Sequence, residues 1–155
     1  MKKAIESKKS EVSSDVVSRA ENKLAGASQA FSFDFRDKIV LDIGSSTGGF
    51  TEYALRRGAK RVFAVEKGTN QMKAPLRFDP RITLLEKTDI FFVDFAKFGP
   101  IDVVLADVSF VPLKKVLAHL KSQPEVRSAD FLMMLKPQFE AKAYELKNGI
   151  VKNEK

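Results

Sequence analysis

The chain has 155 residues, 44% hydrophobic and 30% charged, which fits one globular domain with a sizeable core. Its 27 basic and 20 acidic side chains leave a net charge of +7, which suits a polyanionic partner such as RNA without requiring one. With no cysteine and a single histidine, His119, disulfides, thiolate zinc sites, cysteine nucleophiles and multi-histidine metal centres are excluded, and no metal is expected.

Residues 1–17 are rich in Lys, Glu and Ser and read as a flexible basic arm. The domain is expected to span 18–155. It opens with a helix from Ser18 through Leu24 and Ala25 to near Phe31, which Ser18 can cap and Glu21 can complete as a capping box. Ile39–Ile43 is a β-branched, apolar run that feeds a glycine-rich turn containing Gly44, Gly48 and Gly49. Phe50, Tyr53, Ala54 and Arg57 then follow at the spacing of one helical face, and Gly58 lies just past the helix end.

Arg61–Glu66 reads as a second strand, apolar through its middle as buried parallel strands are. Gln71–Phe78 is expected to be a short helix, interrupted or begun at Pro75, and Ile82–Leu85 a third strand. Phe91, Phe92, Phe95 and Phe98 recur at helical spacing, which favours core packing over base stacking. Ile101–Ala106 is a fourth strand ending in Asp107. Leu113–Lys121 is a helix with Leu113, Val116, Leu117 and Leu120 on one face, and its His119 reads as a bystander. Phe131–Leu135 is a fifth strand. Strands alternating with helices give an α/β fold with a doubly wound, mostly parallel sheet.

In such a sheet a ligand sits beyond the carboxyl ends of the strands. Those ends carry Asp42 to Gly44, Glu66, Asp89, Asp107 and Lys136. Glycines allow close backbone approach, and the amides opening the next helix suit polar and anionic ligand groups. The spacing fits neither the dinucleotide pattern, because Ser46 occupies its second glycine position, nor a P-loop. Glu66 can accept both hydroxyls of a ribose, or pair with Lys67 or Arg61. Asp89 can accept the amine of an adenine, or cap its own loop. Asp107 is expected to face solvent, a cation or a substrate, since burying it unpaired is costly. Lys136 precedes Pro137 and is therefore extended, projecting from the strand tip. To act as a base it must lose its proton, which desolvation or a second cation such as Lys23 could favour. On composition alone Lys23 is an exposed helical lysine.

Four blocks carry a family resemblance: Leu41-Asp42-Ile43-Gly44-Ser45-Ser46-Thr47-Gly48-Gly49-Phe50-Thr51, Arg57-Gly58-Ala59-Lys60-Arg61-Val62-Phe63-Ala64-Val65, Ala106-Asp107-Val108-Ser109-Phe110 and Leu135-Lys136-Pro137-Gln138-Phe139-Glu140. With Gly149-Ile150-Val151, they resemble the hemolysin A (TlyA) family, relatives of the FtsJ group of ribosomal RNA 2′-O-methyltransferases. The resemblance runs from about Val17 to Val151. It implies a Rossmann-like S-adenosylmethionine-dependent methyltransferase fold and transfer of a methyl group to a ribose 2′-hydroxyl of ribosomal RNA. It implies catalytic roles for Lys23, Asp107 and Lys136. Cofactor contacts fall on Asp42, Gly44, Ser45, Gly48, Gly49, Phe50, Glu66, Lys67, Asp89, Ile90 and Asp107.

The chain departs from the family pattern in three ways. Ala20-Glu21 replaces a pair of glycines beside Lys23. Residues before the motif are too few for an S4-type RNA-binding domain. The segment that supplies the family's fourth catalytic residue, a glutamate, is expected to lie outside this sequence along with the C-terminal closing strands, since Glu140, Glu145 and Glu154 do not sit in its motif. The fifth strand is then expected to be an open apolar edge, suited to homodimer pairing. The alternatives are a non-catalytic module that binds S-adenosylmethionine or RNA, a nicotinamide-dependent oxidoreductase disfavoured by the glycine spacing, and a lytic protein. No apolar run approaches the roughly 20 residues that span a bilayer, so no membrane partner is expected. A cytoplasmic location is expected.

Overall fold

The computed structural model describes residues 19–151. The expected arm over 1–17, the Ser18 cap and Glu154 lie outside them. In chain order the regular elements are α1 (Arg19–Ala30), β1 (Ile39–Ile43), α2 (Gly49–Arg56), β2 (Arg61–Val65), β3 (Ile82–Leu85), β4 (Val103–Ala106), α3 (Leu113–Lys121), β5 (Asp130–Met133), α4 (Pro137–Glu140), β6 (Leu146–Lys147) and β7 (Ile150–Val151). The first five strands form one parallel sheet in the order β3-β2-β1-β4-β5. The doubly wound α/β architecture is therefore as expected.

Side chains alternate across the sheet because successive residues of a strand point to opposite faces. Leu41, Ile43, Phe63, Val65, Val104 and Ala106 pack with Val116 and Leu120 of α3 and with Ile90 and Phe95. Val40, Val62, Val103 and Leu105 pack on the other face, with Leu24 of α1, Phe35, and Phe50, Tyr53, Ala54 and Leu55 of α2. β1 is the central strand and is almost wholly buried, which is why it reads as an unbroken apolar run apart from Asp42.

Several local expectations are corrected. Gln71–Phe78 holds only one 3₁₀ turn, Leu76–Phe78, because Met72 is drawn into the interior and the segment follows that anchor instead of a helical repeat. The phenylalanine run forms two 3₁₀ turns. Phe95 is buried and Phe98 stacks on Phe63 at 4.3 Å between ring centres, but Phe92 is 87% exposed. Arg57 leaves the buried face of α2 and lies over the Tyr53 ring at 5.1 Å. His119 is half-buried, within the expectation of a surface or half-buried residue, with its Nε2 3.1 Å from the Ile90 carbonyl oxygen. β6 and β7 form a separate antiparallel hairpin that does not join the main sheet. Within the described residues β5 has β4 as its only neighbour, with Phe131 and Leu135 exposed.

Candidate active site

Register brings the strand ends into line. Ile43 pairs with Val65 and Ala106, Val65 with Leu85, and Ala106 with Met133. The next residues, Gly44, Glu66, Asp107 and the approach to Lys136, therefore share one rim. Gly44 has φ +79°, and its amide donates to the Val65 carbonyl at 2.9 Å. A Cβ at this position would stand 3.1 Å from the Asp107 carbonyl oxygen, so glycine is needed for two strand ends to pass each other. Gly48, at φ +97°, is the N-cap of α2. A Cβ there would press on the side-chain ends of Leu76 and Met72, which would have to shift, so this glycine packs against the β2–β3 crossover.

A cavity of about 620 Å³ opens along this rim. Of the expected site, Gly44, Ser45, Gly49, Phe50, Glu66, Lys67, Asp89, Ile90, Asp107 and Lys136 line it. Asp42 and Gly48 do not. Lys23 does not line it either, and its Nζ donates instead to Met134 Sδ at 3.7 Å.

Asp42 is fully buried on the α2 side of β1, where Thr51 Oγ1 donates to its Oδ2 at 2.6 Å while Oδ1 has no partner. Burial pushes its carboxyl up to about 7, and the Thr51 hydrogen bonds offset only part of that. It is a support beneath the turn, tying β1 to α2.

Glu66 is engaged by backbone and not by the cations expected as its alternative partners. Its Oε2 accepts from the Ser46 amide at 2.8 Å and its Oε1 from the Gly68 amide at 2.7 Å, with Gln71 Nε2 at 3.4 Å. Each oxygen of a carboxylate has capacity for a further donor. Asp89 does cap its own turn, accepting from the Phe91 amide at 3.2 Å, and it pairs with Lys67 at 2.9 Å. Ser45 Oγ is buried in the cavity wall with no partner.

At the other end, Lys136 Nζ lies 2.6 Å from Asp107 Oδ1 and donates to Ser109 Oγ at 2.9 Å. Lys136 Nζ is thus held at the rim by one hydrogen bond and one ion pair while still facing the cavity, where it can meet an incoming oxygen. Phe110, at the mouth, is 91% exposed and has φ +64°, a strained conformation for a bulky residue. Ser46, Gln71, Phe91, Ser109 and Phe110 also line the cavity, and reading the sequence did not single them out as site residues.

The model of FtsJ-like methyltransferases matches residues 16–154. The chain belongs to the FtsJ-like methyltransferase family. This FtsJ-like chain is 42% identical to YqxC of Bacillus subtilis, described as a candidate rRNA methyltransferase, over 143 residues covering 90% of the chain and 50% of YqxC. It is 44% identical over 125 residues to the 16S/23S rRNA (cytidine-2′-O)-methyltransferase TlyA of Mycobacterium tuberculosis, covering 80% of the chain and 46% of TlyA. A solved structure from Streptococcus thermophilus, described as a candidate hemolysin, superposes with a TM-score of 0.79 at 36% identity, covering 88% of this chain and 50% of that one. The chain spans about half the length of the curated relatives it matches. Among the described residues no helix is long and apolar enough to cross a membrane.

Proposed function

We propose that this FtsJ-like domain binds S-adenosylmethionine and methylates a ribose 2′-hydroxyl of ribosomal RNA. The observation that carries the reading is the placement of Lys136 Nζ between Asp107 and Ser109, at one end of a cavity whose other end presents the Glu66 carboxylate. The residues present fit the cofactor. Glu66 is pre-oriented to accept ribose hydroxyls, Thr47 and Gly49 are the turn residues whose amides are not already donated to Val65, Ser45 or Glu66, and Ser45 Oγ is an unspent polar group in the wall. Ile90 and Phe91 supply an apolar wall for an adenine.

When bound, S-adenosylmethionine supplies an electrophilic methyl group on a sulfonium. The chain's own part is to hold the acceptor. Lys136 would take the 2′-hydroxyl proton onto its nitrogen as that oxygen gains the methyl group, and Asp107 would fix the lysine in place and stabilise the ammonium that results. Phe110 presents an open ring against which an RNA base can stack. Methylation at oxygen, as in the named activity of TlyA, fits a site with a lysine and a carboxylate and no cysteine nucleophile.

The test is transfer of labelled methyl from S-adenosylmethionine into unmodified ribosomal RNA, followed by alkaline hydrolysis. Label in alkali-resistant dinucleotides marks 2′-O-methylation, and label in alkali-labile mononucleotides refutes the ribose assignment. The second reading is a binding module without turnover. It is favoured by Glu140, which accepts from the Leu113 amide at the start of α3 and so supplies no fourth catalytic group to Lys136. Cofactor binding by calorimetry with no transfer would support it.

A further inference from the structure

At the end of the sheet opposite the cavity, two loops are locked together. The Asp37 amide donates to the Gly58 carbonyl at 2.9 Å and the Lys60 amide to the Lys38 carbonyl at 2.8 Å. Phe35, fully buried, anchors the first loop. This junction displays Arg36, Lys38, Arg57, Lys60 and Arg61 against three nearby acids, Asp34, Asp37 and Asp102, the last accepting from the Ile39 amide at 2.8 Å. None of the five cations is ion-paired with an acid among the described residues, whereas Arg56, Arg77 and Arg81 each are. Two of the five are held by ring faces: Arg57 by Tyr53, and Arg61 by Phe63 at 4.9 Å, with a further hydrogen bond to Thr83. Their placement costs little further ordering on binding.

Clustering like charges on rigid loops opposes the folded state unless an anion relieves it. The cavity cannot be the reason, because β1 has five residues and separates the two ends by about 16 Å. We propose that this rim is a second contact surface, which binds backbone phosphates of the RNA away from the reacting nucleotide. It rests on the reading that the acceptor is RNA. The recognition is electrostatic and sequence-independent, with guanidinium forks and ammonium groups meeting phosphate oxygens.

The experiment compares binding of a labelled 24-base-pair RNA hairpin to the wild type, to Arg36→Gln/Arg57→Gln/Lys60→Gln, and to Lys114→Gln/Lys115→Gln/Lys121→Gln. The last variant removes the same charge from the exposed face of α3. Loss of about tenfold or more in the rim variant, with the salt dependence of log K shallower by about 2 to 3, is expected, while the α3 variant stays within about twofold of wild type. Equal losses in the two variants, or none in the rim variant, overturn the proposal. Lys60→Glu, which leaves both stacked arginines in place, repeats the test if the triple variant does not fold. Patch-dependent binding without methyl transfer would sink the catalytic reading and leave the rim standing. Transfer with binding insensitive to the rim would do the reverse.

Discussion

Asp42 gives the sharpest test of the physical account. Burial raises its carboxyl from 3.8 to about 7 in the folded chain, so between those values the native state holds a proton that the unfolded chain has released. Stability therefore falls as pH rises through this window and levels off above about 7. From pH 5 to pH 8 this one group should remove on the order of 2–3 kcal/mol, since a tenfold difference in proton affinity is worth about 1.4 kcal/mol. Asp42→Asn keeps an oxygen that can accept from Thr51 Oγ1 but cannot ionise. Urea unfolding of both proteins at pH 5, 6, 7 and 8 isolates the effect, because titrating groups not coupled to Asp42 cancel in the difference and the coupling to Asp107 and Glu66 is smaller than the effect of burial. The Asn variant should gain on the wild type by on the order of 2–3 kcal/mol across that range. A difference flat to within about 0.5 kcal/mol would mean the carboxylate is solvated or paired after all, and the argument from burial would fail.

Lys136→Met should lower methyl transfer by about 10²- to 10⁴-fold while calorimetric affinity for S-adenosylmethionine stays within about threefold; a matching loss of affinity would place the lysine on the cofactor instead. Glu66→Ala should weaken cofactor binding by roughly 10²-fold, because it removes a charged acceptor and loosens the Ser46 and Gly68 amides together, with little change in the helical signal. Gly48→Ala should cost at least about 1 kcal/mol more than Gly99→Ala in thermal unfolding. Both residues have positive φ, but a Cβ at 48 meets Leu76 whereas one at 99 meets nothing within 4 Å.

The frame of this fold was legible because its signals are local and repeated. β1 and β2 are apolar runs of the length of buried parallel strands, and α3 shows its buried face at helical spacing. What failed depended on contacts distant in sequence. Met72 is buried under Gly48 and Leu76, and nothing in Gln71–Phe78 announces that a crossover will fold onto the glycine turn. The four phenylalanines fit a helical period, but two tight turns rotate Phe92 outward. Asp42 and Gly48 sit in a motif whose spacing marks a ligand turn, yet spacing does not say which members line the cavity. The alternation of β1 did contain part of the answer, since Val40 and Asp42 share the α2 side of the sheet. Phe110 carried no signal by itself, because an exposed aromatic at positive φ is a property of the folded backbone.

The close passage of Gly44 against the Asp107 carbonyl has one further consequence. The turn that would cradle the methyl donor and the strand tip that would present the acceptor's partner leave less room between them than a methyl group needs. Neither half of the site can drift without displacing the other. Variants with new substrate preferences should therefore arise from the mouth, where Ser109 and Phe110 have room to change, while a side chain at position 44 demands both a left-handed backbone and a shift of the Asp107 strand tip.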